Sequence, residues 1–320
     1  MNIVLATDDR YVPYCVTTIM SIVRNNNKCV FYILNESLTS SSKDSIDRVA
    51  KTNGSKVVYV EVPSYFIEEL PMPSDMFLSH LSLATYYRLF ISTLLPSDID
   101  KVLYLDCDIL IRKSLEELYN TDLDGYALGA VYQIDREANW RCEVLGIPLV
   151  YGYFNAGVLL VNLKYWREND VKSLFQAFIE NNYDRILYHD QDVLNAVLYK
   201  HTKRLPCKWN MTSHFFRRSA RYINEVDSQG NIIRKNEDYK QQIPQEIKDP
   251  TVIHFVAKPK PWDHNCNHIW KSEYKYYYEM CGYNLSVSVK DNIRFLVVRL
   301  VRFLRIDLLK DLLSIRKYGE

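Results

Sequence analysis

The chain predicts an α/β fold: a mostly parallel sheet flanked by helices, followed by a helical C-terminal region. Two observations carry this. Over the first ~60 residues, extended and helical patterns alternate as β-α-β-α-β, the order that builds a parallel sheet with helices on its faces. Further on, Lys101–Ile111 and Phe154–Leu163 are near-continuous apolar runs, as expected of strands covered on both faces. At 320 residues the chain accommodates one large α/β domain with an appendage, or two small domains.

Asn2–Thr7 is the expected first strand, ending at Asp8 and Asp9. Val12, Val16, Ile19, Met20 and Val23 recur at helical spacing over Tyr11–Arg24. Cys29–Leu34 reads as a second strand, Ser40–Asn53 as a helix stopped by Gly54, and Lys56–Val62 as a third strand. Pro63–Pro73 is a loop. Ser79–Leu95 is expected to be helical, with Arg88 among Tyr86, Tyr87, Leu89 and Phe90; such a cation can snorkel or pair structurally. After Lys101–Ile111 come a short helix from Ser114 and a strand at Tyr126–Tyr132. Phe154–Leu163 leads into a helix over Lys164–Asn181, and His189-Asp190-Gln191-Asp192 caps a helix at Val193–Tyr199. Ser213–Pro250 is polar and charged and reads as a surface insertion, with a turn at Gln229-Gly230-Asn231. Thr251–Val256 is the last strand. Beyond Trp270 follow a tyrosine-rich helix and a basic amphipathic segment.

Composition excludes several function classes. A net charge of +1 gives no whole-chain case for nucleic acid. No G-x-G-x-x-G or G-x-x-x-x-G-K-[ST] is present, so a nucleotide would be held by other means than those glycine-rich loops. The seven cysteines are scattered and contain no C-x-x-C, which speaks against a disulfide framework or zinc ribbon and for a reducing compartment. His264-Asn265-Cys266-Asn267-His268 gathers soft ligands but lacks a second cluster. The apolar run at the N-terminus is too short for a signal peptide, and no uncharged run approaches the ~18 residues of a membrane span. The protein is expected in the cytoplasm.

The chemistry concentrates at Lys101–Ile111, where two aspartates interrupt an apolar run near its end. Carboxylates beside a core are costly unless paired or bound to a cation. Along an extended chain side chains alternate, so Asp106 and Asp108 point one way and Cys107 into the opposite layer. The pair makes either a hard-cation site or a solvated turn at the end of the strand. In an α/β sheet of this kind, ligands sit at the carboxyl ends of strands, where Asp8 and Asp106/Asp108 fall. Asn155 at the lip of its strand reads equally as a turn or cap residue, and His254 as a core histidine.

Taken together, these stretches resemble glycosyltransferase family 8, and most closely its bacterial lipopolysaccharide galactosyl- and glucosyltransferases. The matching pieces are Ile3–Asp9, Tyr87-Arg88-Leu89, Val102–Leu110, Phe154-Asn155-Ala156-Gly157-Val158-Leu159, His189–Asp192, and Ile253-His254-Phe255 through Lys260-Pro261-Trp262. The resemblance implies a Rossmann-like GT-A catalytic domain over residues 1–265, with 213–250 as an acceptor arm and 266–320 as a helical appendage. It implies transfer of a hexose from a UDP-sugar, galactose or glucose, with retention at the anomeric carbon. Asp106, Asp108 and His254 would hold Mn²⁺, a set less suited to Mg²⁺, which prefers all-oxygen shells. Ala6, Thr7, Asp8, Arg88, Cys107 and Lys260 would line the donor site, Asp8 near the uridine and Lys260 on the diphosphate. Asn155, Asp190 and Gln191 would surround the transferred sugar and acceptor, and Asp190, Gln191 and Asp192 are the nearest candidates for a nucleophile. Three departures stand out: Arg10 where close relatives often have Asn, Ala257 in place of a common glycine, and an insertion after Ser213 without a match, where acceptor specificity would reside.

The expected acceptor is a saccharide on a lipid; a protein-linked or soluble glycan is the alternative. Residues 292–317 fit that setting. Arg294, Arg299, Arg302, Arg305, Lys310, Arg316 and Lys317 cover about half of a helical wheel opposite Ile293, Val297, Leu300, Val301, Leu304, Leu308 and Ile315, with Phe295, Ile306 and Leu313 straying into the basic arc. Such a helix suits the anionic inner face of the plasma membrane, or else packs on its own domain. Two rivals stand beside this reading. A sugar-phosphate nucleotidyltransferase would need the glycine-rich loop that is missing. A non-catalytic sugar-nucleotide-binding protein would not need Asp106, Asp108, His254 and Lys260 intact.

Overall fold

The computed structural model describes residues 1–64, 83–216, 225–226, 232–234, 237–256 and 258–284. The basic segment 292–317, the turn at 229–231, Ala257, residues 65–73 of the expected loop and residues 79–82 of the expected helix lie outside them. The strands are β1 (Asn2–Ala6), β2 (Val30–Asn35), β3 (Lys56–Glu61), β4 (Lys101–Leu105), β5 (Ile109–Ile111), β6 (Leu128–Tyr132), β7 (Phe154–Asn162), β8 (Thr202–Arg204), β9 (Met211–Thr212), β10 (Glu225–Val226), β11 (Ile232–Arg234) and β12 (Val252–His254). Seven form the main sheet in the order β3-β2-β1-β4-β7-β6-β8. β1 to β4 run parallel, and β7 is antiparallel to both β4 and β6. β5, β12 and β9 make a second sheet of three strands.

The parallel half follows from its sequence. Ile3, Val4 and Leu5 of β1 and Val102, Leu103 and Leu105 of β4 are fully buried, each apolar side chain contributing about 1.5–3 kcal/mol. The helix Val12–Asn25 is buried nearly all round, so it lies between the sheet and a further layer rather than on the surface. That layer is the tyrosine-rich helix Lys271–Met280. Trp270, Tyr274 and Cys281 belong to the main core, and Arg112 ties the helix down through Glu273 at 2.8 Å. All seven cysteines are buried.

Several expectations are corrected. Lys101–Ile111 is not one strand: it breaks after Leu105. Asp106 N–H still donates to Gly157 of β7, at 2.9 Å, whereas Phe255 N–H beyond β12 donates to the Asp108 carbonyl at 3.1 Å. The chain therefore leaves the main sheet at Asp106 and joins the small sheet at Asp108. The Thr18 hydroxyl holds the turn between them, 2.9 and 2.8 Å from the carbonyls of Cys107 and Ile109. The helix expected over Lys164–Asn181 is two, Leu163–Glu168 and Val171–Asn182, separated at Asp170, whose φ is 44°. The Leu83–Phe90 segment winds as a 3₁₀ helix before a short α-turn at Ile91–Leu94. Within 213–250, expected as a surface insertion, Phe215, Phe216, Tyr239, Ile243 and Ile247 are buried in the core. The helix Arg136–Leu145 was not anticipated, although Asp135 caps it onto Ala138 N–H and Gly146 ends it in the left-handed conformation.

Candidate active site

A cavity of about 550 Å³ opens at the carboxyl ends of β1 and β4. Ala6, Thr7, Asp8, Arg88, Asp106, Cys107, Asp108, Asn155, Asp190, Gln191 and Lys260 all line it, so residues far apart in sequence converge on one place. Its wall also includes Tyr11, Gln133, Glu137, Tyr188 and His214, which sequence reasoning missed. Tyr11 had a visible signal, two residues past Asp9 at a helix start. Gln133 and Tyr188 sit on loops, Glu137 on the unanticipated helix Arg136–Leu145 and His214 on a single 3₁₀ turn, none with a pattern to mark it.

The break in the strand aims both carboxylates into the cavity. Asp106, Asp108 and His254 bring one ligand atom each within 4.8 Å of one another. His254, buried on β12, places Nε2 3.1 Å from Asp108 Oδ1 and 3.8 Å from Asp106 Oδ2. Two features fit a divalent cation here. Asp108 Oδ1 is buried and, among the described residues, accepts no hydrogen bond, which is costly for an ionised oxygen. Gly157 also faces this corner: a Cβ there would sit 2.1 Å from His254 Cε1 and 2.8 Å from Asp106 Oδ2. Two carboxylates and an imidazole form a donor set that transition-series divalent cations accept readily.

Lys260 Nζ bonds Asp108 Oδ2 at 2.5 Å and the Phe255 carbonyl at 2.8 Å. Burial would raise the Asp108 carboxyl, but Lys260 and, in the acid range where the carboxyl titrates, the cationic form of His254 prevail and hold it well below the usual carboxylate range. Arg88 lies between the two acidic motifs, 2.9 Å from Asp106 Oδ1 and 2.9 Å from Asp190 Oδ2, with Nη1 donating to the Ala156 carbonyl at 2.7 Å. Burial opposes its charge, yet these two aspartates keep it firmly protonated. Burial is also the main reason the Asp190 carboxyl is pushed up to about 7, against the pull of Arg88.

The remaining polar residues are more constrained than the sequence suggested. Gln191 Oε1 accepts from Ala156 N–H at 3.0 Å and from Asn155 Nδ2 at 3.1 Å. Cys107 Sγ turns toward the Ala6 carbonyl, 3.2 Å away, from the turn that replaces the expected strand, and Cys107 lines the same cavity as the two aspartates rather than an opposite layer. Asp8 Oδ1 accepts from Tyr11 N–H at 2.9 Å and so also braces the start of the helix. Asp192 is corrected as a nucleophile candidate. It is fully buried away from the cavity, and Arg141 (2.6 Å), the Tyr153 hydroxyl (2.6 Å) and the N–H groups of Leu187 and Tyr188 saturate it.

The family model for glycosyl transferase family 8 matches residues 2–266. The chain belongs to glycosyltransferase family 8. Among its relatives is a putative glycosyltransferase of Haemophilus influenzae, 31% identical over 276 residues that cover 84% of this chain and 75% of that one. A lipopolysaccharide 1,2-glucosyltransferase of Escherichia coli is 28% identical, covering 89% of this chain and 78% of its own. The structure resembles that of the galactosyltransferase LgtC in complex with donor and acceptor sugar analogues. The TM-score is 0.75 at 25% identity, over 92% of this chain and all of that one. A structure of an LgtC active-site mutant gives 0.76 at 26% identity, over 88% and 96%. The architecture is thus the GT-A fold of this family, and the chain is a family 8 glycosyltransferase related to lipopolysaccharide glycosyltransferases. Among the described residues no helix is long and apolar enough to cross a membrane.

Proposed function

We propose that the protein transfers galactose or glucose from a UDP-sugar to a saccharide acceptor, with retention at the anomeric carbon and dependence on Mn²⁺. The observation that carries this reading is the Asp106–Asp108–His254 corner with Lys260 beside it, whose two aspartates and lysine line the cavity that also gathers Asp8, Arg88, Asn155, Asp190 and Gln191. Asp106, Asp108 and His254 would hold the cation, which when bound offsets the charge that grows on the departing UDP. Lys260 grips the diphosphate as a point charge, moving off Asp108 as it does so. Asp8, with Ala6 and Thr7, borders the uridine. Arg88 keeps Asp106 and Asp190 apart and in place. Attack from the same face as the leaving group fits the cavity better than a double displacement. Asp192 is outside it, the Gln191 carbonyl already accepts two hydrogen bonds, and the Asp190 carboxylate is paired with Arg88 at 2.9 Å. In this scheme the leaving phosphate takes the acceptor proton.

The test is slow hydrolysis of a panel of UDP-sugars with Mn²⁺, which needs no acceptor. UDP release with UDP-galactose or UDP-glucose, lost on chelation, is expected; no release with any donor would leave a sugar-nucleotide-binding protein instead. The further reading, a lipid-linked acceptor reached from an anionic inner membrane face, rests on the sequence of residues 292–317. Deleting 291–320 is expected to abolish salt-sensitive sedimentation with anionic liposomes and to leave hydrolysis intact. Undiminished liposome binding by the truncated protein would remove that segment as the anchor.

A further inference from the structure

A run of buried amides ends on the imidazole of His254, and its polarity can be followed from atoms whose roles are fixed. A backbone N–H can only donate. Gly157 N–H points at one terminal atom of the Asn155 side chain, 3.0 Å away, so that atom is the oxygen. Ala156 N–H likewise marks Gln191 Oε1 as an acceptor, at 3.0 Å, and the Asn155 amino group donates to it at 3.1 Å. Asn155 Oδ1 is also approached by the Asn210 side chain, at 2.8 Å. Whatever reaches an oxygen already accepting must donate, so this is Nδ2 of Asn210. The Asn210 oxygen is then the atom that faces His254 Nδ1, 2.9 Å away. An acceptor at that distance requires a hydrogen on Nδ1. Asn210, Asn155 and His254 are all at least nine-tenths buried, so water is a poor substitute for any of these partners.

We infer that Asn210, oriented through Asn155 by the backbone N–H groups of Ala156 and Gly157, is a positioning residue that commits His254 Nδ1 to carrying its hydrogen and reserves Nε2 as a metal ligand. This inference rests on the cation reading of the Asp106–Asp108–His254 corner. It gives Asn155 a task besides any contact with the sugar. It also accounts for the pairing at the corner, since the imidazole presents its free nitrogen to the unsatisfied Asp108 Oδ1, an arrangement of two electron-rich atoms that a cation between them relieves. In the opposite tautomer Nε2–H would donate to Asp108 and a metal would have to displace that hydrogen.

The experiment uses the full chain labelled with ¹⁵N-histidine, free of metal, at a pH where the imidazole is neutral; long-range ¹H–¹⁵N correlation separates the two tautomers. The His254 signal is identified by its loss in His254→Gln. Wild-type protein is expected to show hydrogen on Nδ1 and none on Nε2. Asn210→Leu, of similar size but without an acceptor, is expected to move the hydrogen to Nε2. In a titration with Mn²⁺ in the presence of UDP it should lose on the order of 10–100-fold in Mn²⁺ affinity. Asn210→Asp keeps an oxygen for Nδ1–H and is expected to retain the tautomer, although it sets a second acceptor against Asn155 Oδ1 in place of the amino group. A wild-type His254 protonated on Nε2 overturns the inference without any variant, and so does Asn210→Leu with unchanged tautomer and affinity. Nδ1–H together with no Mn²⁺ binding by wild type overturns the cation reading and leaves the orienting chain standing.

Discussion

Two acidic clusters lie close together in this fold, and they differ in one respect. Around Asp192 every oxygen is answered: Arg141, Tyr153 and two backbone N–H groups converge on a carboxylate with no exposure. Around Asp108 and Asp106 the account is left open. One buried oxygen has no hydrogen-bond partner among the described residues, a histidine nitrogen faces it, and a glycine keeps the space beside both free. Asp190 and Asp192 come from one four-residue motif, yet Asp190 faces the cavity beside Arg88 and Asp192 supports the protein behind it. A saturated carboxylate holds the fold together; an unsaturated one is held ready for something else.

Exchanging the two kinds of damage gives the largest expected effects. Asp108→Ala or His254→Ala should reduce transfer on the order of 10³-fold, matching the several kcal/mol a bound cation supplies, while metal-free protein still melts cooperatively near the wild-type temperature. Asp192→Ala should do the reverse: it strands Arg141 in the core and costs about 3–5 kcal/mol of stability, with the folded fraction still active. Paired activity and melting measurements separate the two, and a stable, inactive Asp192→Ala would erase the distinction. Gly157→Ala belongs with the first group. Its new methyl would meet His254 and Asp106, and displacement of these ligands by about 1 Å should lower transfer ~10²-fold.

A middle-sized effect is expected at Lys260. Because its role is electrostatic, Lys260→Ala should weaken UDP by roughly 1.5–3 kcal/mol and uridine much less, measured by calorimetry with each ligand. Equal losses would place the lysine's action elsewhere.

The smallest effect is on pH dependence, and the clusters should differ in sign. Asp108 is held below its ordinary value of 3.8 by Lys260 and His254 in spite of burial, so its stabilisation is complete above that value and is lost as the pH falls beneath it. Asp192 is raised above 3.8, by burial first and against the pull of Arg141, so its contribution declines as the pH rises through that range. In chelator, Asp108→Asn should therefore flatten the melting profile on the acid side of 3.8 and Asp192→Asn on the other side. Identical profiles for the two variants would contradict the comparison.

The parallel half of the sheet was legible because its apolar runs and Gly54 are local signals. So was the set Asp106, Asp108, Asn155, Asp190, Gln191, His254 and Lys260, through the order of short motifs. What local pattern could not show was pairing. The break after Leu105 depends on β7 and β12, which lie about 50 and 150 residues away and compete for the same chain. Asn210 carries no spacing signal at all, since its partners are Asn155 and His254. Asp192 looked equivalent to Asp190 because sequence lists residues, whereas saturation is a property of neighbours. The buried parts of 213–250 were hidden for a similar reason: Phe215, Tyr239 and Ile243 are few and sit among charges.

The central claim is that the unsaturated corner holds a divalent cation and, through it, a nucleotide diphosphate. Calorimetric titration of UDP into wild-type protein and His254→Ala, each with Mn²⁺ and with EDTA, tests it most directly. Wild-type affinity is expected to fall at least ~10-fold on chelation, a loss of about 1.4 kcal/mol or more, and His254→Ala to bind UDP equally weakly in both buffers. Wild-type protein that binds UDP as tightly in EDTA as in Mn²⁺ would contradict the account.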